Sequence, residues 1–510
     1  MRAGLRYGTR LTLGPRFVKT RFVRISQDRH RKLAVAIGLV AIAVRLLAIN
    51  QPFIDPWSWR QSDVAAIARN YFQNGFHFAW TQIDWAGDQP GYVGTEFPIL
   101  PLIAAVSYKF GGVHEWIGRI QAVILFAASL PFFFLLMRDL LGSVAAVWAA
   151  FFYSFAPLNI VTGRAFMPDV PSLSLALIGL YFFLRWIETQ QTKHMLASAI
   201  LTSLSILIKL PSILIGAPIA YLAWQRFGAD AFRRGSLCIF AAVALLPSVA
   251  WYLHAYFIAQ HFYPHHFFGA GGIQLESPAW YGKIAQQIAT STLTPLLFGL
   301  GIFGAATARS TTQARALYAW LGAMILFIVV AGYGNRHQWY QLPLVPIAAA
   351  FAGAACAFVA SKLSSHSTRA ALSILLAGSF VFLAFVHAQP FYRPIAAQLR
   401  EAGLELKRTT APDSLIIAAD NGDPAIFYYG ERKGWHFLEK GGIYEGNPSD
   451  SQQVIVDLEQ LRRRHATHLV FTANTFWWLD YYEEFAQYLE RNAVLVTATS
   501  DFKIYKLNQL

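Results

Sequence analysis

Long apolar runs dominate this chain, and short basic clusters separate them. Eleven runs approach the length of a membrane-spanning helix: residues 33–49, 117–137, 144–161, 170–184, 195–208, 212–225, 237–258, 293–308, 316–330, 342–360 and 370–386. A hydrocarbon core about 30 Å thick asks for roughly 20 apolar residues per helix. The pattern predicts an all-α polytopic membrane bundle of about 11 transmembrane helices, occupying residues 33–388. After that the pattern changes. Charged residues become frequent, and 414–419, 468–472 and 493–498 read as strands, while 395–408, 451–464 and 480–492 read as helices. Residues 389–510 are therefore expected to form a soluble α/β domain.

Charge orients the bundle. The arm 1–32 carries Arg2, Arg6, Arg10, Arg16, Lys19, Arg21, Arg24, Arg29, Arg31 and Lys32 against Asp28. A basic tail before a first apolar helix is held in the cytoplasm by anionic lipid, which explains the arm more simply than a nucleic-acid partner. No small-x-small site follows, so the first run is expected to stay as an anchor. The run 97–110 is short, holds Pro98, Pro101 and Lys109, and ends at Gly111-Gly112. Counting it as a span would put most basic clusters across from the arm. Leaving it out puts Arg138, Arg185/Lys193, Arg226/Arg233/Arg234, Arg309/Arg315 and Lys362/Arg369 on the arm's side. It is read as an interfacial or re-entrant helix on the outer face. The long first loop, 50–116, and the soluble domain then lie on the outer face, across from the arm. Residues 195–225 must cross twice around Lys209-Leu210-Pro211, which points to a thinned or water-filled spot there. Arg45, near the outer end of the first span, fits the same picture, with simple snorkelling as the plainer alternative.

The composition agrees: 55% hydrophobic, 14% charged and a formal net charge of +14 exclude a soluble multidomain protein. Cys238 and Cys356 both sit in apolar runs, so no disulfide is expected.

On this map the unusual polar residues share the outer face: Asp55, Asp63, Glu96, Arg164, Asp169, His265, His266, Arg336 and His337. Charges gathered on one face of a membrane protein handle something polar there. In the first loop a helix is predicted to start near Ser62, with Asp63 at its N-terminus as a dipole-favoured carboxylate or a cap. Glu96 stands where the chain re-enters the apolar layer, where a carboxylate needs a partner or a task. Arg164 and Asp169 flank the second loop, where mutual pairing and function are equally good readings. His265-His266 could hold a metal, but amid aromatics they read first as an interfacial belt. Trp57, Trp59, Trp80 and Trp85 read as interfacial anchors or sugar-stacking rings. Asp420-Asn421-Gly422-Asp423 reads as a turn after the first strand.

Asp63 in an extended first loop, Glu96-Phe97-Pro98 opening a helix, Arg164 to Asp169, Lys209-Leu210-Pro211 and Tyr340-Gln341-Leu342-Pro343 together resemble the membrane glycosyltransferases of the C-type (GT-C) fold. The resemblance is to the bacterial branch of the dolichyl-phosphate-mannose protein mannosyltransferase superfamily, which also contains the lipid A aminoarabinose transferases. It covers roughly 33–386. It implies inverting transfer of a sugar from a polyprenyl-phosphate carrier to a hydroxyl of an extracytoplasmic acceptor, with membrane lipid and carrier as partners. It implies that Asp63 accepts the acceptor's proton, that Glu96 lies near a metal or the acceptor, and that Asp169 is the second-loop acid. Ser62-Asp63 replaces the Asp-Glu pair of the mannosyltransferase relatives. In the aminoarabinose group the acid lies nearer Arg60, which leaves Asp55 as a rival base.

Such a reaction needs one base and a cation on the departing phosphate. Arg164, Lys209 and Arg336 are the outer-side cations, and with His337 and Tyr340 they are the expected carrier-phosphate ligands, Lys209 and Arg336 foremost. Trp59, Arg60, His265 and His266 are the expected substrate contacts. No obligatory metal is expected, a divalent ion near Glu96 being the one candidate. A transporter or flippase-like lipid-binding protein would put ionisable residues deep in the spans, which are clean. An oligosaccharide ligase with a diphosphate-linked donor would carry an Asp-x-Asp metal pair, and Asp55 and Asp63 are too far apart for one.

Overall fold

The computed structural model describes residues 21–268, 272–308, 314–440 and 443–508. The first twenty residues of the basic arm, and Arg309, lie outside them. All eleven apolar runs are helical. The bundle opens with α1 (Arg21–Leu46), and α2 (Ser58–Asn74) and α3 (Ile99–Gly111) lie in the long first loop. Then come α4 (Glu115–Leu141), α5 (Ser143–Phe155), α6 (Pro157–Thr162), α7 (Asp169–Thr189), α8 (Thr192–Ile208), α9 (Gly216–Phe227) and α10 (Gly235–His261). The bundle closes with α11 (Pro278–Gln287), α12 (Pro295–Thr307), α13 (Ala316–Val330), α14 (Leu344–Lys362) and α15 (His366–Ala388). Among the described residues five helices are long and apolar enough to cross a membrane, six if the bent pair 278–307 counts as one span. The remaining runs form shorter helices or, in α1, a helix with a basic first half. Run 144–161 breaks at Ala156, whose extended ψ is what a following proline imposes. Run 212–225 starts as a 3-10 turn, Leu210–Ile215, after an extended Lys209.

The core is held by close helix contacts. A side chain at Gly304 would meet the Phe351 carbonyl at 1.8 Å, and one at Gly353 the Ala145 carbonyl at 2.3 Å, so α14 packs backbone to backbone on α12 and α5. Serines join α7 to α8: Ser198 donates to the Gly179 carbonyl and Ser205 to the Ser172 carbonyl, at 2.7 and 2.8 Å. Arg45 does not snorkel. It is fully buried, stacks 3.4 Å over Phe126, and donates to the carbonyls of Ala41, Ser154 and Asn159 at 3.0 Å. The break at Ala156 frees the Ser154 carbonyl, and Arg45 satisfies it.

Beyond α15 the chain folds into α16 (Ala397–Thr409), β1 (Leu415–Ala419), α17 (Ala425–Gly430), β2 (Lys433–His436), the small hairpin β3 (Glu439–Lys440) and β4 (Ile443–Tyr444), α18 (Ser451–Arg463), β5 (Ala466–Thr472), α19 (Trp477–Tyr481), α20 (Glu483–Asn492), β6 (Ala493–Ala498) and β7 (Phe502–Leu507). The five-stranded sheet has the order β2-β1-β5-β7-β6, with β1 parallel to β2 and β5 and β7 antiparallel to its neighbours. The expected strands β1, β5 and β6 are present, and β2 and β7 join them. β2 reads Lys-Gly-Trp-His, with no β-branched residue, so only its pairing makes it a strand.

That pairing has two sides. The Gly434 N–H donates to the Asp84 carbonyl at 3.0 Å and the Gly87 N–H to the Gly434 carbonyl at 2.7 Å, so the first loop continues the sheet past its edge. Arg464 adds an ion pair to Asp88 at 2.7 Å. Gly87 has φ +58°, and a Cβ there would stand 1.9 Å from the Trp435 indole. Gly87→Ala should therefore cost about 1–3 kcal/mol through overpacking and backbone strain. It should appear as a lowered thermal midpoint of the detergent-solubilised protein, with faster protease cleavage near residues 389–396.

Candidate active site

The site begins with α2. The Asp55 carboxylate accepts the Trp57 N–H at 3.0 Å, and this turn starts the helix at Ser58, four residues before the expected Ser62. Asp63 therefore lies in the second turn and caps nothing. α2 is buried from Arg60 to Tyr71, including Arg60, Asp63 and Arg69. Charges in such a place need partners.

They find them in segments far apart in sequence. Arg60 donates to Glu96 at 2.6 Å, the Lys209 ammonium lies 3.2 Å from the same oxygen of Glu96, and its other partner is Asp169 at 3.5 Å. Asp63 and Asp169 both add to the negative potential at Arg60. The other oxygen of Asp169 has no hydrogen-bond partner. One chain of charge thus joins α2, the approach to α3, the start of α7 and the end of α8. Burial pushes the Glu96 carboxyl up, but Arg60 and Lys209 more than reverse this and leave it at about 2.

Arg164 does not pair with Asp169. It belongs to a second cluster, 3.7 Å from Asp55, donating to the Ala48 carbonyl at 2.7 Å and to Gln51 at 3.0 Å. Arg119 meets Asp55 at 3.4 Å, and Gln61 donates to both Asp55 oxygens. Arg119, at the head of an apolar run, gave no sequence signal. This cluster ties the ends of α1 and α4 and the second loop to the start of α2.

Asp63 accepts the Trp85 indole N–H at 2.9 Å. Burial raises its carboxyl to about 6, against the pull of that hydrogen bond and of Arg60. The other face of Trp85 meets the His436 ring at 5.1 Å between centroids. His436 is held by Asp420 at 2.8 Å, and this partner keeps its imidazole above the ordinary range in spite of burial. The loop that pairs with β2 thus carries the residue that holds Asp63.

Over this layer opens a cavity of about 770 Å³ between the bundle and the soluble domain. Trp59, Arg60, His266, Arg336, His337 and Tyr340 line the bundle side, and Asp420, Asn421, Asp423 and Tyr444 the domain side. The Ser58 hydroxyl donates across the seam to Asp423. Burial raises the Asp423 carboxyl to about 7 although Ser58 and the Ala425 N–H bind it. Burial lowers His266 and His337 to about 4, with Arg60 and Arg336 respectively adding to the effect, so both are neutral at pH 7. Arg336 is exposed, stacks 3.8 Å from Tyr333, and has no ion pair among the described residues. Lys209, Asp169 and Tyr340 border a small crevice that shares Trp339 and Tyr340 with the cavity.

Most of the expected site residues meet here, at the end of the bundle opposite the basic clusters, since α7 starts at Asp169 and ends beside Arg185. Asp63, Glu96 and Asp169 lie beneath the cavity lining. Asp55 and Arg164 form the neighbouring cluster. His265 stands apart, exposed, with a left-handed φ of 56° and a hydrogen bond to the Ala259 carbonyl at 3.3 Å. Sequence reading passed over Ser58, Asp420, Asp423 and His436. One signal was available: Asp420 to Asp423 follow the carboxyl end of a parallel strand, where α/β sheets bind ligands.

Residues 88–254 match the family of dolichyl-phosphate-mannose-protein mannosyltransferases. The match contains Glu96, Arg164, Asp169 and Lys209 and begins after Asp63. No sequence among the curated proteins matches the chain. The structure is similar to ArnT from Cupriavidus metallidurans bound to undecaprenyl phosphate, with a TM-score of 0.64 at 14% identity over 92% of this chain and 97% of that one. It is also similar to the archaeal oligosaccharyltransferase AglB from Archaeoglobus fulgidus in complex with an inhibitory peptide and a dolichol-phosphate, with a TM-score of 0.63 at 14% identity over 95% of this chain and 75% of that one. The chain thus has the GT-C fold of the membrane glycosyltransferases and carries the protein-mannosyltransferase family pattern in its residues 88–254.

Proposed function

We propose that this protein is an inverting glycosyltransferase of a bacterial inner membrane, moving a sugar from a polyprenyl-phosphate carrier to a hydroxyl on the periplasmic side. The observation that carries the reading is the convergence of α2, α3, α7 and α8 on one buried charge network under a cavity, at the end of the bundle away from the basic clusters. The carrier-bound ArnT and AglB structures supply the ligand class: one holds undecaprenyl phosphate and the other a dolichol-phosphate.

Asp63 is the base in this reading. Both Asp55 oxygens are taken by Gln61, and Arg119 and Arg164 close over them. Asp63 keeps one strong partner, the Trp85 indole, and ionises near pH 6, close to where a general base works best. The acceptor hydroxyl takes the place of the indole N–H. Its oxygen forms a bond to the sugar's anomeric carbon from the face opposite the phosphate, its proton passes to Asp63, and the bond from anomeric carbon to phosphate oxygen breaks. The carrier phosphate leaves as an anion. Arg336, free of any ion pair among the described residues, receives it, with Lys209 and Tyr340 at the adjoining crevice. Glu96 aims Arg60 and Lys209. A divalent ion does not fit at Glu96, which two cations already flank; no group of three potential ligands gathers among the described residues. The reaction is written without one.

Asp63→Asn should lower transfer about 10²–10⁴-fold while carrier lipid still binds. In the parent enzyme kcat/KM should rise with pH through about 6, because only the ionised carboxylate accepts a proton, and fall away below it. An active Asp63→Asn enzyme with this acid limb intact would remove Asp63 from the role. Arg336→Ala should weaken undecaprenyl phosphate binding roughly tenfold or more, the size of one charge-assisted hydrogen bond. Binding isotherms of the purified protein check this. Comparing envelope glycans and lipids of strains with and without the gene tests the whole reading.

A further inference from the structure

The soluble domain supplies one wall of the cavity, and the reaction above does not use it. This wall differs from the opposite one in chemistry. The bundle side carries the cations Arg60 and Arg336, and the domain side carries the acids Asp420 and Asp423. Asp420 is committed to His436. Asp423 is not: it makes no ion pair among the described residues and holds only the Ser58 hydroxyl and one N–H, leaving room for further bonds on a carboxylate. Beside it stand the exposed Asn421, the exposed Asn474 and the Tyr444 phenol, three more polar groups without charge. Facing them is an aromatic shelf, in which Trp59 meets the His337 ring at 5.6 Å and His337 stacks on Trp339 at 4.7 Å with 8° between planes.

A carboxylate, amides and a phenol on one side and flat rings on the other suit a ring that has hydroxyl edges and an apolar face. They suit a peptide less well. A peptide bound by strand addition needs an open strand edge, and the edge strand next to this wall, β2, is already paired with residues 84–87. The charge division sorts the two substrates. A donor phosphate is drawn to the Arg60 and Arg336 side, and a second anion would be pushed against Asp423.

Resting on the glycosyltransferase reading, we propose that the Asn421–Asp423–Tyr444 wall is the acceptor subsite and takes a carbohydrate that carries no anionic group, either neutral or amine-bearing. Asp423 titrates near neutral pH, so it can accept from a hydroxyl or an ammonium and, when protonated, donate to a ring oxygen. The soluble domain thereby selects the acceptor, while the bundle holds the donor.

The test is binding to the full-length protein in detergent, read by saturation-transfer NMR and calorimetry with four probes: methyl glucoside, glucosamine, glucose 6-phosphate and a serine-threonine peptide. Undecaprenyl phosphate is titrated separately. Glucosamine and methyl glucoside should bind, and glucose 6-phosphate should bind at least tenfold more weakly. Asp423→Asn should weaken glucosamine about tenfold and leave undecaprenyl phosphate unchanged. Asn421→Asp, at an exposed position with a left-handed φ of 56° that aspartate also tolerates, should sharpen the preference for glucosamine without disturbing the Ser58 contact. Tightest binding by glucose 6-phosphate or by the peptide overturns the proposal. So does failure of every sugar to bind, or a preference unmoved by both substitutions. Loss of undecaprenyl phosphate binding in the parent protein would instead sink the glycosyltransferase reading, which keeps the two failures apart.

Discussion

A buried charge must be answered by another, and this requirement organises the upper end of the bundle. Arg60, Glu96, Lys209 and Asp169 come from four segments, and none is exposed enough to be satisfied by water. Removing Glu96 would leave Arg60 unpaired, and removing Lys209 would leave Asp169 unpaired, in a place where that costs several kcal/mol. The network therefore sets the relative positions of α2, α7 and α8 more strictly than apolar packing does, because apolar contact has no direction and an ion pair does. The cluster of Asp55, Arg119, Arg164 and Gln61 does the same for the ends of α1 and α4.

The soluble domain is bound into this arrangement. Residues 84–87 extend its sheet, Trp85 from the same stretch holds Asp63, and Ser58 at the head of α2 reaches Asp423. A shift of the domain would move Trp85 and with it the surroundings of Asp63. The cavity consequently has one wall from each part of the chain, with Arg60 and Arg336 on the first and Asp420 and Asp423 on the second.

Some of this was readable from residues alone, and the boundary is instructive. Each of the eleven apolar runs proved helical, since apolar length is a local property, while α11 lies in a stretch read as a loop. The polar residues that matter were found because charge is rare among apolar neighbours: Asp63, Glu96, Asp169 and Lys209 stand out for that reason. Arg164 and Asp169, close in sequence, suggested a pair. The fold sends them to different clusters, because Arg164 points back to the end of α1 while Asp169 starts α7 toward Lys209. Arg45 looked like a cation near water and instead is buried, satisfying among others the Ser154 carbonyl that a helix break leaves open.

The sequence by itself determined the apolar helical runs, the α/β pattern of residues 389–510 and which acids were out of place. Each depends on composition or periodicity within a short window. Only the tertiary structure decided who pairs with whom, that Asp420 and Asp423 face the cavity as more than a turn, and that a Lys-Gly-Trp-His segment becomes a strand. Those outcomes depend on neighbours from tens to hundreds of residues away, and a hydrogen bond or ion pair carries no trace of its partner in the local sequence.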